Sequence, residues 1–217
     1  MKHVEEAKPV TWLYGWVIVY VLSCYLFPFI PRFLQAPDTL THAVALNNSI
    51  ATSALYVPLI FTVLNIVIVG FQRKKVSREQ FLICTLMIKY SLIPLFLVGG
   101  GLVVLLMLLT FLPVPIMIFV GPIGAVAVTV FGWIILLGSV PFAFAYLTKS
   151  KQAGIHSRFL VGFAKLLQFF FIFDVIAIMV LSLKERKWQK LTVIVLLLLM
   201  VLLAVLVVLI RGVLPLR

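Results

Sequence analysis

Long apolar runs separated by short polar stretches make up this chain, and most of its Lys and Arg residues gather in the polar stretches. The longest apolar block runs from Phe81 to Leu147, with Lys89 as its only charged side chain. Water does not tolerate that much apolar surface on a soluble domain. A bilayer does, provided that backbone N–H and C=O groups pair internally, as they do in helices. The pattern therefore predicts an all-α fold, a polytopic transmembrane helical bundle in one domain. Its six expected spans cover residues 12–30, 50–71, 81–112, 116–147, 159–183 and 191–210.

The first span opens on Trp12, Tyr14 and Trp16, where an interfacial aromatic belt would hold it. Its apolar run exceeds a typical signal-peptide core and no small-x-small cleavage site follows, so it reads as a retained span. Arg32 to Ser49 reads as a loop, with Asp38 and His42 as its candidate chemistry and Asn47-Asn48-Ser49 as a glycosylation-type triplet. The central block crosses either twice, turning at Pro113-Val114-Pro115, or three times, turning at Gly99–Gly101 and Gly121–Gly124. Two crossings make helices longer than a core of about 30 Å needs. They nonetheless place more of the basic clusters on one side, and that side is cytoplasmic by the positive-inside rule. With two crossings both termini are cytoplasmic, and the cluster Lys184 to Lys190 is the exception, left outside.

Composition sharpens this picture. The residues are 64% hydrophobic and 11% charged, against about 25% charged in soluble domains. The net charge of +12 comes from short clusters between apolar runs, without the aromatic-interleaved basic face of a nucleic-acid binder. No nucleic acid is expected as a partner. The expected partners are the lipid bilayer and either a membrane protein or a second copy of the chain, in a bacterial-type plasma membrane. Cys24 and Cys84 lie in different spans near opposite ends, so two free thiols are expected.

Candidate chemistry centres on Asp174. A carboxylate near a helix centre costs about 2.5 to 3.5 kcal/mol on insertion scales and needs a partner or a proton. Counting depth along straight helices matches Asp174 with Trp133 or Tyr56, while Lys89 and Lys165 are expected to extend toward the headgroups. Gln168 is a candidate interhelical hydrogen-bonder. Gly121, Ala125 and Thr129 recur every fourth residue, a smooth face for close helix packing. Pro94 with Gly99–Gly101, and Gly121-Pro122 with Gly124, are candidate helix breaks. No metal-ligand spacing, phosphate loop, nucleophile elbow or pair of intramembrane acids is present, so no cofactor and no catalytic residue is expected. The expected function is that of a small non-enzymatic transport protein or a membrane subunit of a larger transport complex. An immunity or regulatory protein acting through helix contacts would lack an internal cavity, and an enzyme acting on lipid would show a pocket joining Asp174 to another titratable group.

Overall fold

The computed structural model describes residues 10–26, 56–185, 189–190 and 192–201. Seven helices make up the described residues, and the architecture is all-α. They are α1 (Trp12–Leu26), α2 (Tyr56–Gln72), α3 (Arg78–Leu109), α4 (Met117–Gln152), α5 (Arg158–Leu167), α6 (Phe171–Lys184) and α7 (Thr192–Val201). Asp38, His42 and the Asn47 triplet lie outside the described residues, as do the distal parts of the runs expected over 12–30 and 191–210.

The central block forms two helices, of 32 and 36 residues, and both are long and apolar enough to cross a membrane. Pro113 and Pro115 fall in the turn between them, where missing N–H groups do no harm. Pro94 and Gly99–Gly101 do not break α3, and Pro122 and Pro141 lie within α4. Ser77 caps α3 by accepting a hydrogen bond from the Gln80 N–H at 3.2 Å, and Lys149 and Lys151 oppose the dipole at the end of α4. At the tip of this α3–α4 hairpin, a Cβ on Gly121 would come within 2.5 Å of the Leu106 carbonyl oxygen, so the backbones cross closely there.

Two short helices pack on the other end of this hairpin through polar side chains. The Trp16 indole N–H donates to Asn65 Oδ1 at 2.7 Å, and the Asn65 amide donates to the Gly138 carbonyl at 2.9 Å. Tyr20 donates to the Ile135 carbonyl at 2.6 Å, and Thr62 to that of Ile134 at 3.0 Å. Three adjacent carbonyls of α4 thus hold α1 and α2 together. Val10 exchanges two hydrogen bonds with the Gln80 side chain, of 3.0 and 2.6 Å, which fixes the start of α1 beside the start of α3. Trp16, half-buried, is thus a donor between α1 and α2.

The bundle has one charged end. Among the described residues every charged side chain lies between Arg73 and Lys89 or between Lys149 and Lys190. Both segments sit at the end where α3 begins and α4 finishes. Toward the opposite end, no residue of α3 beyond Leu92 is fully buried, and only 6% of its most apolar 18-residue window is covered by the rest of the molecule.

The run expected as one span over 159–183 is not one continuous helix. It breaks at Gln168 to Phe170 into α5 and α6, and α6 returns to the charged end where α5 started. Glu185, just past α6, contacts both Arg78 and His156 there. The segment is a helical hairpin that enters the bundle about halfway and comes back.

Candidate functional site

The turn of the α5–α6 hairpin carries the most deeply buried charges of the described residues. α5 presents Val161, Ala164 and Gln168 to the bundle and Phe159, Phe163 and Leu166 outward, so small and polar side chains face the bundle and large apolar ones face away from it. Gln168 ends α5. Its amide donates to the Ala164 carbonyl at 3.2 Å and to the Asp174 carbonyl at 3.4 Å, tying the last turn of α5 to the first turn of α6. Neither Gly nor Pro marks this break, so the side chain of Gln168 bridges it.

Asp174, in the first turn of α6, pairs with Lys89 of α3. Each residue is 1% exposed. Two charges in so dry a place are tolerable only as a pair, because each removes the other's need for water. One oxygen of the pair, Asp174 Oδ1, and Gln168 Oε1 beside it have no hydrogen-bond partner among the described residues. Phe171 packs edge-on against Phe96, with ring centroids 5.5 Å apart, and a Cβ on Gly132 would come within 3.1 Å of its ring. Tyr90 donates to, or accepts from, the hydroxyl of buried Thr192 at 2.9 Å, which docks α7 beside the same part of α3.

The register explains why Lys89 is the partner. α3 and α6 run antiparallel, with Arg78 meeting Glu185 at the charged end and Phe96 meeting Phe171 near the hairpin turn. Lys89 is eleven residues past Arg78 and Asp174 eleven before Glu185, so both lie about 16 Å inside along their axes. Depth counted along an unbroken crossing helix places Asp174 too far from Lys89. Trp133 and Tyr56, the partners that straight-helix counting selects, are 51% and 55% exposed and point away. Lys89 does not extend to the headgroup side either. Gly121 and Ala125 are buried, whereas Thr129 is exposed and donates to the Ala125 carbonyl at 2.8 Å within its own helix.

A second cluster closes the hairpin at the charged end. Glu185 accepts hydrogen bonds from Arg78 Nη1 at 2.6 Å, Tyr146 Oη at 2.7 Å and His156 Nε2 at 2.9 Å. An ionised carboxylate only accepts, so the His156 proton lies on Nε2. Burial alone would raise the Glu185 pKa. The donors Tyr146, Arg78 and His156 outweigh it and hold the carboxyl below its ordinary value. Nothing in the local pattern singles this residue out, since Glu185 lies in the Lys184–Lys190 stretch and reads as one acid within a basic cluster.

Cys24 and Cys84 are buried free thiols. Among the described residues, no three His, Cys, Asp or Glu side chains converge as metal ligands. A groove of about 130 Å³ between α1 and α3, lined by Val17, Ile18, Val21, Leu22, Met87 and Ser91, carries no titratable group.

A protein-family model matches residues 16–190 of the sequence. The chain belongs to DUF6652, a family of unknown function. In this DUF6652 protein the matched segment takes in the Lys89–Asp174 pair and the Glu185 cluster. No curated protein and no solved structure matches the chain.

Proposed function

We propose that this DUF6652 protein is a non-enzymatic integral membrane protein of the plasma membrane, and that it works as a membrane subunit of a transport assembly through contacts of its helices. In this reading α1, α2, α3, α4 and α7 cross the bilayer, and α5–α6 is a re-entrant hairpin opening on the cytoplasmic side. The observation that carries it is the separation of charge from apolar surface. Every charge among the described residues lies at or toward one end, and the remaining surface is apolar and uncovered. Tyr90 to Leu109 of α3 is free of charge and spans about 30 Å, the thickness of a hydrocarbon core.

The return of α6 also brings Lys184 to the side of Arg73, Lys74, Lys75, Lys149 and Lys151. A crossing at 159–183 would leave Lys184 as an exception to the positive-inside rule. A subunit is favoured over a self-sufficient carrier because Asp174 is sealed against Lys89 and presents no open face to a passing ion. The same sealing weighs against an enzyme acting on lipid, since among the described residues both charges of the pair are covered, each 1% exposed.

Alkaline carbonate extraction followed by native electrophoresis in mild detergent tests both parts. The chain is expected in the membrane pellet, migrating with a companion well above its own 24.3 kDa. Release into the carbonate supernatant would overturn the membrane reading. A lone 24.3 kDa species would overturn the subunit reading.

A further inference from the structure

The basic side chains at the charged end fall into two groups. Arg78 and Lys89 have carboxylate partners in Glu185 and Asp174. The other lysines and arginines have none among the described residues, and four of these, Arg73, Lys149, Lys151 and Lys165, come from three elements: the α2–α3 turn, the end of α4, and α5. Lys165 reaches the end of α4 that carries Lys149 and Lys151. The Lys165 ammonium donates to Thr148 Oγ1 at 2.9 Å, next to Lys149, and stands 5.3 Å from the centre of the Phe144 ring. It feels the charges of both Arg73 and Lys151, and Lys149 in turn feels that of Arg73.

A lysine with four rotatable carbons beside three other cations lowers its energy by swinging into water. Lys165, half-exposed, instead rests its ammonium against an aromatic ring and on a threonine hydroxyl, on the side of the other cations. Its position is explained if an anion completes the group. The surroundings specify what kind of anion. Phe169 packs edge-on against Phe144 with centroids 6.0 Å apart and is 40% exposed, and Phe71, two residues before Arg73, is 79% exposed. A fully hydrated anion gains nothing from such walls, whereas an amphiphile places its charge on the cations and its chains on the rings.

We propose that Arg73, Lys149, Lys151 and Lys165 form a binding site for the phosphate headgroup of an anionic phospholipid, with its acyl chains lying along Phe71 and Phe169. The site rests on the membrane reading given above and adds a lipid class to it. Planar guanidinium and compact ammonium groups together suit a phosphate diester, with Arg73 able to bind two oxygens and the lysines acting as point charges. A zwitterionic headgroup brings its own cation into the same cluster and is disfavoured by repulsion.

Native mass spectrometry of the detergent-purified protein tests this, with phosphatidylglycerol, phosphatidylcholine and inorganic phosphate added separately. Phosphatidylglycerol is expected to remain bound, while phosphatidylcholine and inorganic phosphate are lost. Arg73→Gln and Lys165→Gln are each expected to weaken phosphatidylglycerol binding about fivefold, the factor for one headgroup-facing cation. Lys165→Arg is expected to retain it, and Lys184→Gln, a lysine outside the cluster, to leave it unchanged. If Lys165→Gln fails to fold, Lys151→Gln at the exposed end of α4 serves in its place. Equal retention of phosphatidylglycerol and phosphatidylcholine would overturn the proposal, as would retention of inorganic phosphate alone or an equal loss in Lys184→Gln. A chain that stays with membranes in carbonate but does not discriminate between lipids disproves this site alone. A chain released by carbonate disproves the membrane reading beneath it.

Discussion

Lys89 and Asp174 tolerate burial only in each other's company, and this makes their substitutions strongly non-additive. Removing one leaves an uncompensated charge at a 1% exposed position, at a cost of about 3 to 5 kcal/mol. Lys89→Met with Asp174→Leu removes both charges and is expected to recover most of that loss, because apolar residues of similar size commonly replace a buried pair without penalty. Unfolding midpoints of the two single variants and the double variant in detergent provide the check, and equal losses in all three would show that the pair is not coupled. Glu185 makes a separate prediction, since its carboxylate lies at the charged end and is held by three donors. Its folded pKa lies below its ordinary 4.5, so its ionised form stabilises the hairpin above that value and the contribution fades as pH falls through the folded pKa. Thermal stability is expected to fall on acidification below about pH 5, and Glu185→Gln is expected to start lower and respond less there. An unchanged acid response in Glu185→Gln would assign it to another carboxylate.

At the scale of elements, the α5–α6 hairpin decides the topology. Single cysteines at Ser77, Gln152 and Lys184, in a chain lacking Cys24 and Cys84, are all expected to be shielded from an impermeant thiol reagent in intact cells, and one at Val114 to be labelled. Labelling at Lys184 would restore a full crossing by residues 159–183. The two long helices were legible in the sequence because Pro113 and Pro115 stand between two uninterrupted apolar runs. The hairpin was not legible. Its turn, Gln168-Phe169-Phe170, contains neither of the residues that punctuate chains, and its apolar content equals that of a spanning helix. What bends it is tertiary: Glu185 reaching Arg78 and His156, and Asp174 reaching Lys89. Asp174 and Lys89 each stood out as candidates, since charge in an apolar run is rare, although Lys89 was expected to extend toward the headgroups. Their pairing was hidden because depth depends on where a helix turns. The Gly138 contact was hidden for a related reason, as only packing reveals that a Cβ there would lie 2.3 Å from Tyr20 Oη.

For the whole molecule, the far half of the α3–α4 hairpin distinguishes bilayer from water as its surroundings. Leu105 is 53% exposed there. On a water-facing surface Leu105→Lys changes stability by no more than about 0.5 kcal/mol. At the centre of a lipid-facing helix it costs about 2.5 to 3.5 kcal/mol. The larger penalty is expected, read as reduced insertion of this segment in a glycosylation-mapping assay, and unchanged insertion would argue that lipid does not cover this face.

The pairing of Lys89 with Asp174 also has a consequence for synthesis. The two residues are 85 positions apart, so at ribosomal rates of about 5 to 20 residues per second the lysine emerges about 4 to 17 s before its carboxylate. On the proposed membrane reading, α3 holds throughout that interval a lone cation that lipid rejects, and the helix rides high, with Lys89 drawn toward the headgroups, until α6 has been made. Final seating of α3 is therefore a late event in biogenesis, timed by the arrival of Asp174.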